Sequence, residues 1–306
     1  MRTSTGPSDP RQSGATVRSQ PLPDAPFGAS VVIERGPGPL DSAAARVLRD
    51  LLAHHHLLIV RGEWTEEEHV DLVGCFGRVL PQGPRVIVND HPAGELPVVT
   101  FVSNVAAVGG LGAFELAFHH DLAHVATPLA GLSLYALDVG DDQSPTRFSN
   151  GRLAYLQLPA QLQQRLVGLQ GLFAANYTTI SDQAAPARAV RDALDPTWPR
   201  TVHPVVVPHP VTGEPCVYVN EMMTVEILGL AREDSDALLD ALFERLYDPA
   251  NIYEHHWQVG DLVVWDNLVV QHGRRKVHET TPRTLRRVVF GEKAPWEQWP
   301  YPAAAQ

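Results

Sequence analysis

The sequence predicts a mainly β fold with flanking helices, of the double-stranded β-helix or jelly-roll class, and three patterns favour it. Short apolar runs of strand length are scattered along the chain. Segments with helical spacing lie between these runs, so helices are expected to brace the β-structure. Residues 262–265 are apolar at every position, as expected for a strand buried on both faces inside a jelly roll.

Composition indicates a globular protein and argues against several classes of partner. The chain has 306 residues, 44% of them hydrophobic and 19% charged, so it can bury a large core. The formal net charge of −11 argues against a broad nucleic-acid or anionic-membrane surface. No run approaches the roughly 18 apolar residues that a membrane span needs. With only Cys75 and Cys216, a disulfide framework is not expected, and a cytoplasmic location is.

The predicted organisation is a flexible N-terminal tail over residues 1–26 followed by a single domain over residues 27–306. The tail is rich in Pro, Ser, Gly and Arg, a composition that can bury little apolar surface. The length fits one large domain or two modest ones, and no internal repeat is visible in the sequence.

The first part of the domain is predicted to run strand, helix, strand, helix. Leu48 and Leu52 fall at helical spacing behind Asp41, a candidate N-cap. Thr65 is followed three residues later by Glu68, which forms a capping box and opens the second helix. The predicted elements cover residues 31–33, 43–53, 57–60 and 65–76.

The rest of the domain alternates strands, helices and loops. Loops are expected over residues 80–97, where Pro and Gly recur, and over residues 174–200, which show no strong period. The second loop and the glycine-rich link over residues 105–113 are candidate lids. Strands are predicted within residues 96–102, 131–139, 146–148, 205–219 and 253–292, and helices within residues 152–170 and 235–247.

Residues 118–124 contain the central candidate for chemistry. Alternate side chains of an extended strand share a face, so His119 and Asp121 would project together and His120 to the opposite side. An imidazole and a carboxylate supply two of the three protein ligands of a 2-His-1-carboxylate iron site. The third must come from a distant segment, where His272 is the candidate. For so short a motif, a structural histidine beside a solvated aspartate is the alternative.

The surrounding sequence resembles the TauD/TfdA-like (taurine dioxygenase) family of Fe(II)/2-oxoglutarate-dependent oxygenases. As in similar family members, an aromatic residue, Phe118, precedes the motif, and Thr127-Pro128 leads into a Gly-rich apolar strand. The stretch 260–267 precedes the distal histidine, and Arg283 follows that histidine by eleven residues. The resemblance implies a cupin-like jelly roll and an oxygenase.

The resemblance also implies roles for individual residues. It makes His119, Asp121 and His272 the Fe(II) ligands, with the other positions on iron left for 2-oxoglutarate and O₂. It assigns the distal carboxylate of 2-oxoglutarate to Arg283, whose planar guanidinium can bind a carboxylate with two parallel hydrogen bonds. Thr146 would add a hydroxyl hydrogen bond, although this chain matches the family's Gly-Gly-Asp-Thr turn only in part.

A second arginine is implied at the substrate. Arg287 lies four residues after Arg283, so strand parity puts both on one face and Arg286 on the other. In taurine-type members the matching arginine binds the anionic group of the substrate, which implies a carboxylate, sulfonate or phosphate at Arg287. A salt bridge to a neighbouring acid is the alternative. Residues 80–83 lack the histidine and tyrosine of the taurine enzymes, so taurine itself is not the expected substrate.

The implied function is hydroxylation of an unactivated C–H bond of a small organic or natural-product substrate, with release of succinate and CO₂. Desaturation or cyclisation at the same iron centre is an alternative outcome. A zinc-dependent hydrolase on the same ligands and a cupin-like binding protein without turnover are alternatives from other classes. The expected partner is a small molecule, and a homo-oligomer fits too, since dimers and tetramers occur among similar proteins.

Overall fold

The computed structural model describes residues 15–34, 36, 38–82, 97–105, 110–111, 113–141, 143–176 and 185–298. The strands are β1 (Thr16–Pro21), β2 (Ala29–Glu34), β3 (Leu57–Arg61), β4 (Val99–Ser103), β5 (Gly110–Leu111), β6 (Leu116–His119), β7 (Gly131–Val139), β8 (Thr146–Asn150), β9 (Gln170–Ala174), β10 (Arg200–Pro204), β11 (Val206–Pro208), β12 (Pro215–Val217), β13 (Thr224–Ile227), β14 (Ile252–His255), β15 (Asp261–Asp266), β16 (Val270–Arg274) and β17 (Arg283–Phe290). The helices are α1 (Ser42–His55), α2 (Glu66–Gly74), α3 (Gly151–Leu156), α4 (Ala160–Leu166), α5 (Arg232–Leu246) and α6 (Pro295–Gln298). Within the described ranges, none of these helices combines the length and the apolar character needed to cross a membrane.

Two sheets make up the jelly roll. In the described part of the chain the larger sheet has eight strands in the order β1-β2-β3-β15-β7-β17-β4-β5, and the second has four in the order β14-β8-β16-β6. Their neighbours are antiparallel except for β2 with β3 and β4 with β5. The strand order carries β15 and β17, from the last fifth of the chain, into the middle of the larger sheet. The predicted mainly β, jelly-roll fold is confirmed.

One hydrophobic core joins these two sheets. Leu134, Trp265 and Leu285 come from strands of the larger sheet, and Phe148 and Val270 come from the smaller one. All five side chains are buried, and burial of this kind stabilises a fold by roughly 25 cal/mol per Å² of apolar surface. Strands of both sheets that carry this core also carry the polar residues of the site described below.

Strand β15 is buried on both faces, as its apolar sequence predicted. Val263 and Trp265 belong to the core between the sheets. Leu262 and Val264 point the other way and join a second apolar cluster with residues of α1 and α2. All four are 0% exposed, so this strand is fixed from both sides just before the chain turns towards His272.

The two N-terminal helices begin where the sequence predicted. The side chain of Asp41 accepts a hydrogen bond from the amide of Ala44 at 2.8 Å and caps α1. Thr65 and Glu68 form the reciprocal capping box that opens α2. Leu48 of α1 packs into the second apolar cluster, which lies against the larger sheet.

The predicted tail over residues 1–26 is wrong for residues 16–21, which form β1 and pair with β2 along their whole length. Most side chains of this edge strand are exposed. The strand is therefore held by backbone hydrogen bonds, and its sequence carries no apolar alternation that could have predicted it. Residues 1–14 lie outside the described ranges, and the single domain over residues 27–306 stays a prediction.

The helix predicted within residues 152–170 is two helices, α3 and α4. Pro159 occupies the N-cap position of α4, and a proline there cannot continue the hydrogen-bonding pattern of the preceding helix. The predicted loops over residues 80–97 and 174–200 and the link over residues 105–113 lie partly outside the described ranges. The predicted hairpin within residues 205–219 is confirmed by the pairing of β11 with β12.

Candidate active site

His119 and Asp121 meet at the end of strand β6. The strand ends at His119, and Asp121 lies in the turn that follows. This turn places Oδ1 of Asp121 at 3.2 Å from Nε2 of His119. The two side chains therefore come together as predicted, but the reasoning from a shared strand face is wrong, because alternation stops where the strand ends.

His272 reaches the same place from strand β16. β16 pairs with β6 so that His272 lies directly opposite His119, with 4.2 Å between the ring centroids. Its Nε2 is 3.8 Å from Oδ1 of Asp121. One potential ligand atom from each of the three residues lies within 4.8 Å of the other two. Among the described residues, this is the group of three histidine, cysteine or acidic side chains that could hold a metal ion.

Hydrogen bonding fixes which nitrogen of His119 faces Asp121. Nδ1 lies 2.8 Å from the carbonyl oxygen of Ala117, which can only accept, so Nδ1 carries a proton. In the neutral ring, the lone pair of Nε2 then points at a carboxylate oxygen. That arrangement is favourable only with a cation or a second proton between the two atoms. A backbone carbonyl on the far nitrogen is also a common outer partner of metal-binding histidines.

The charges around the group suit a metal ion. Burial by itself raises the pKa of the Asp121 carboxyl, but the neighbouring Arg287 and the two imidazoles outweigh it and hold this pKa well below its usual range. Burial and the neighbouring His119 lower the pKa of His272 to about 3, so its ring is neutral near pH 7. Metal binding requires these protonation states, an ionised carboxylate and a neutral imidazole. The residues present therefore fit a divalent cation.

Arg283 and Thr146 line the same small cavity as the three potential ligands. Arg283 is 2% exposed, and its guanidinium donates a hydrogen bond to Oγ1 of Thr146 at 3.1 Å. Nε1 of Trp257 donates to the same oxygen at 2.9 Å. A hydroxyl oxygen accepts two hydrogen bonds and donates one, so the proton of Thr146 is left to bind a further acceptor.

The guanidinium of Arg283 has unused hydrogen-bonding capacity. Its Nε is buried without a hydrogen-bond partner among the described residues. Burial, and secondarily Arg274, lower the pKa of Arg283 to about 9, which still leaves it cationic near pH 7. A buried cation with free donors is costly unless an anion binds beside it. The pair of Arg283 and Thr146 thus offers a site for a carboxylate.

Strand parity separates the arginines of β17 as predicted. Arg287 lines the cavity together with Arg283. Arg286 lies on the opposite face, with Nε 3.1 Å from a ring nitrogen of His69. Arg287 forms an ion pair with Asp121. A salt bridge to a neighbouring acid was the alternative role for Arg287. That acid is Asp121, which is also a candidate metal ligand.

Sequence reasoning assigned no role in this site to three residues that lie in it. Gln82 accepts a hydrogen bond from the guanidinium of Arg287 and donates one to its backbone carbonyl at 3.3 Å. Trp257 orients the threonine hydroxyl. Both act on partners more than 100 positions away, so no local signal could reveal them. Arg274 lines the cavity and is 4% exposed; it lies two residues after His272 on one strand, and parity would have found it.

The other histidines of the 118–124 segment face elsewhere. His120 is fully buried and stacks on Tyr218 at 4.5 Å between ring centroids. Nδ1 of His124 lies 3.5 Å from the sulfur of Met223. Neither histidine lines the cavity that contains Asp121. The choice of His119 over these neighbours as a metal ligand stays a prediction.

Gly273 allows the two histidine-bearing strands to approach. A Cβ added at Gly273 would lie 2.8 Å from the carbonyl oxygen of Leu116 and 3.2 Å from the amide nitrogen of Phe118, both on β6. Because backbone atoms cannot rotate away, we expect Gly273→Ala to push β16 from β6 and to weaken Co(II) binding about tenfold or more, as measured by titration. Gly74→Ala, where the added Cβ meets nothing, is the control. Equal affinities in both variants would contradict this explanation.

Comparison with known proteins gives a consistent result. Residues 18–289 match the taurine catabolism dioxygenase TauD, TfdA family. The chain is 29% identical over 297 residues to pentalenolactone F synthase of Streptomyces arenae, which covers 93% of this chain and 99% of that protein. It is 28% identical over 262 residues to an α-ketoglutarate-dependent 2,4-dichlorophenoxyacetate dioxygenase of Cupriavidus pinatubonensis, which covers 81% of this chain and 88% of that protein.

The solved structures agree on the fold. A crystal structure of a taurine dioxygenase from Burkholderia xenovorans superposes with a TM-score of 0.71 at 24% identity and covers 90% of each chain. Enzymes of the matched family use Fe(II), O₂ and α-ketoglutarate, which is 2-oxoglutarate. The family match begins within β1, ends within β17 and includes every potential ligand. The chain is an Fe(II)/2-oxoglutarate-dependent dioxygenase and belongs to the TauD, TfdA family.

Proposed function

We propose that this enzyme hydroxylates an unactivated C–H bond of a small organic substrate. One atom of O₂ enters the substrate and the other enters succinate, which forms together with CO₂ from 2-oxoglutarate. Bound Fe(II) supplies the activation of O₂. The observation that carries the proposal is one cavity that holds both a group of three potential metal ligands and a buried cation, Arg283.

In this proposal His119, Asp121 and His272 hold Fe(II). His119 binds through Nε2, since its Nδ1 donates to the carbonyl of Ala117. The Asp121 carboxylate supplies the one negative charge of the ligand set. Three protein ligands leave the other positions on the metal for the reactants.

The distal carboxylate of 2-oxoglutarate is proposed to bind Arg283 and Thr146. Arg283 supplies donors in a fixed plane, and the remaining proton of Thr146 supplies one more. Val102, Leu132 and Leu134 form apolar walls of the same cavity. Such walls exclude water, which strengthens the ionic contact and protects reactive intermediates.

The substrate is proposed to carry an anionic group that Arg287 binds. The Arg287 guanidinium uses one terminal nitrogen for Gln82 and the other for Asp121, and its five N–H donors leave capacity for a further acceptor. Two similar proteins are named for anionic substrates, the 2,4-dichlorophenoxyacetate dioxygenase and a sulfate ester dioxygenase of Pseudomonas putida. A small carboxylate, sulfonate or sulfate ester is therefore the substrate class to test first.

Two alternative outcomes use the same residues. Desaturation or cyclisation differs from hydroxylation only in the fate of the substrate after its C–H bond is broken, so product analysis separates them. A zinc hydrolase on the same ligands gives no role to the buried cation Arg283, which favours the oxygenase.

A cytoplasmic location is also proposed, because Cys75 and Cys216 are both buried free thiols.

The test is turnover by the purified full chain with a panel of small carboxylates, sulfonates and sulfate esters. We expect succinate formation that needs Fe(II) and 2-oxoglutarate and rises with a true substrate, whose product incorporates one oxygen atom from isotopically labelled O₂. Zn(II) in place of Fe(II) should support no turnover. Substrate cleavage with Zn(II) and without 2-oxoglutarate would instead establish the hydrolase.

A further inference from the structure

The side chain of Asn267 connects the two segments that carry the candidate ligands. Asn267 is 0% exposed and lies in the turn between β15 and β16, five residues before His272. Its Oδ1 accepts a hydrogen bond from the amide of Asp121 at 2.8 Å, and its Nδ2 donates to the carbonyl of Asp121 at 2.9 Å. Nδ2 also donates to the carbonyl of Leu129 at 3.0 Å. Both N–H groups of the carboxamide are thereby used.

The turn that Asn267 holds is one that the chain does not favour by itself. Leu122, directly after Asp121, has a φ of +61°, in the left-handed region that non-glycine residues rarely adopt. Two backbone hydrogen bonds close the turn locally, from the amide of Ala123 to His120 and from that of Val125 to Leu122, at 3.3 and 3.1 Å. The Asn267 carboxamide binds both backbone polar groups of Asp121, so it opposes relaxation of this strained turn.

Asn267 itself is held in place. Its amide donates to the carbonyl of Ala130 at 2.9 Å. The preceding residue, Asp266, accepts hydrogen bonds from the amides of Leu268 and Val269 at 2.8 and 3.3 Å. The second carboxylate oxygen of Asp266 lies 2.8 Å from Nε2 of His209. The turn that presents the carboxamide is thus fixed independently of the Asp121 turn.

We infer that Asn267 is a positioning residue for the metal centre. By holding the backbone of Asp121, it sets where the carboxylate lies relative to His119 and His272. Asn267 does not itself reach the potential ligand atoms, so its effect passes through the Asp121 peptide groups. The inference rests on the proposed metal centre and extends it to a residue that neither binds metal nor lines the cavity.

The experiment compares Co(II) binding by the full chain and by Asn267→Ala, with Co(II) as a spectroscopically visible probe. We expect Asn267→Ala to weaken Co(II) binding by about 10- to 100-fold, the usual effect of losing an outer partner of a metal ligand, and to change the visible spectrum of bound Co(II). Asn267→Ser is a smaller disruption and should change the Co(II) affinity and the visible spectrum less than Asn267→Ala. It also provides the test if Asn267→Ala does not fold. Asn267→Asp places a carboxylate oxygen, which cannot donate a hydrogen bond, against the carbonyl oxygens of Asp121 and Leu129. This variant should therefore bind Co(II) more weakly than Asn267→Ser.

Asn251→Ala is the matched control. Asn251 is also 0% exposed and donates to two backbone carbonyls, of Asn150 and Leu246, at 3.1 and 3.0 Å. The Asn251→Ala substitution should lower the thermal unfolding temperature without changing the Co(II) affinity by more than about threefold. If Asn267→Ala loses stability but keeps wild-type affinity and spectrum, or if both asparagine variants lose affinity equally, the positioning role is wrong. Wild-type protein that binds no Co(II) would overturn the metal centre itself.

Discussion

Asp121→Ala is expected to lower both Co(II) affinity and Fe(II)-dependent succinate formation on the order of 10²- to 10³-fold. Asp121 is the only acidic residue of the three potential ligands. It is also the partner of Arg287, so its removal leaves a cation beside the metal position. Loss of the anionic ligand and repulsion by the unpaired Arg287 both oppose binding of a divalent cation. At about 1.4 kcal/mol for each factor of ten, the expected loss corresponds to about 3–4 kcal/mol of binding free energy.

Two further variants separate charge from shape at this position. Asp121→Asn keeps the size of the side chain but loses the negative charge, so its affinity should fall nearly as far as that of the alanine variant. Asp261→Asn is the control, because Asp261 is 1% exposed and paired with Arg61 and His255 but does not line the cavity. It should lower stability and leave Co(II) affinity unchanged. Wild-type Co(II) affinity in Asp121→Ala would contradict the proposed ligand set.

Arg283→Met is expected to raise the KM for 2-oxoglutarate about 100-fold with little effect on Co(II) affinity. A hydrogen bond to a charged group contributes about 1.5–3 kcal/mol, and the upper figure corresponds to about two factors of ten. Arg283→Lys keeps the charge but loses the planar pair of donors, so its KM should rise less. Steady-state kinetics with varied 2-oxoglutarate measures both effects.

Arg286→Met is the matched control for Arg283. Arg286 lies on the same strand as Arg283 and is 5% exposed. Its Nη2 donates to the carbonyl of Trp64 at 2.7 Å, on the face away from the cavity. Its loss should destabilise the fold, because buried acceptors lose their partner, and leave the KM for 2-oxoglutarate unchanged. Arg283→Met should not destabilise the protein without 2-oxoglutarate, since it removes a buried cation with unused donors. A KM that rises equally in both variants would contradict the assignment.

Local patterns in the sequence were sufficient for much of the fold. The capping residues Asp41 and Thr65 mark helix starts through contacts within three residues, and these are confirmed. The unbroken apolar run of β15 predicted burial on both faces, because successive side chains of a strand point to opposite faces. The same alternation placed Arg287 with Arg283 and turned Arg286 away.

Where a pattern was absent or ended, the sequence misled. Strand β1 is held by backbone pairing with β2 and carries mostly exposed side chains, so composition indicated a tail. Strand alternation was extended past His119 to Asp121, although the strand ends at His119. Pro159 divides a helix that the recurring leucines made appear continuous.

The sequence by itself determined the fold class and, through family resemblance, which histidines, aspartate and arginine to examine. Only the tertiary structure placed Gln82 on Arg287, Trp257 on Thr146 and Asn267 on the Asp121 turn. The physical reason is range. Periodicity and capping arise from residues that are neighbours in the chain. The three contacts join residues 111 to 205 positions apart, so only strand register and packing decide whether they form.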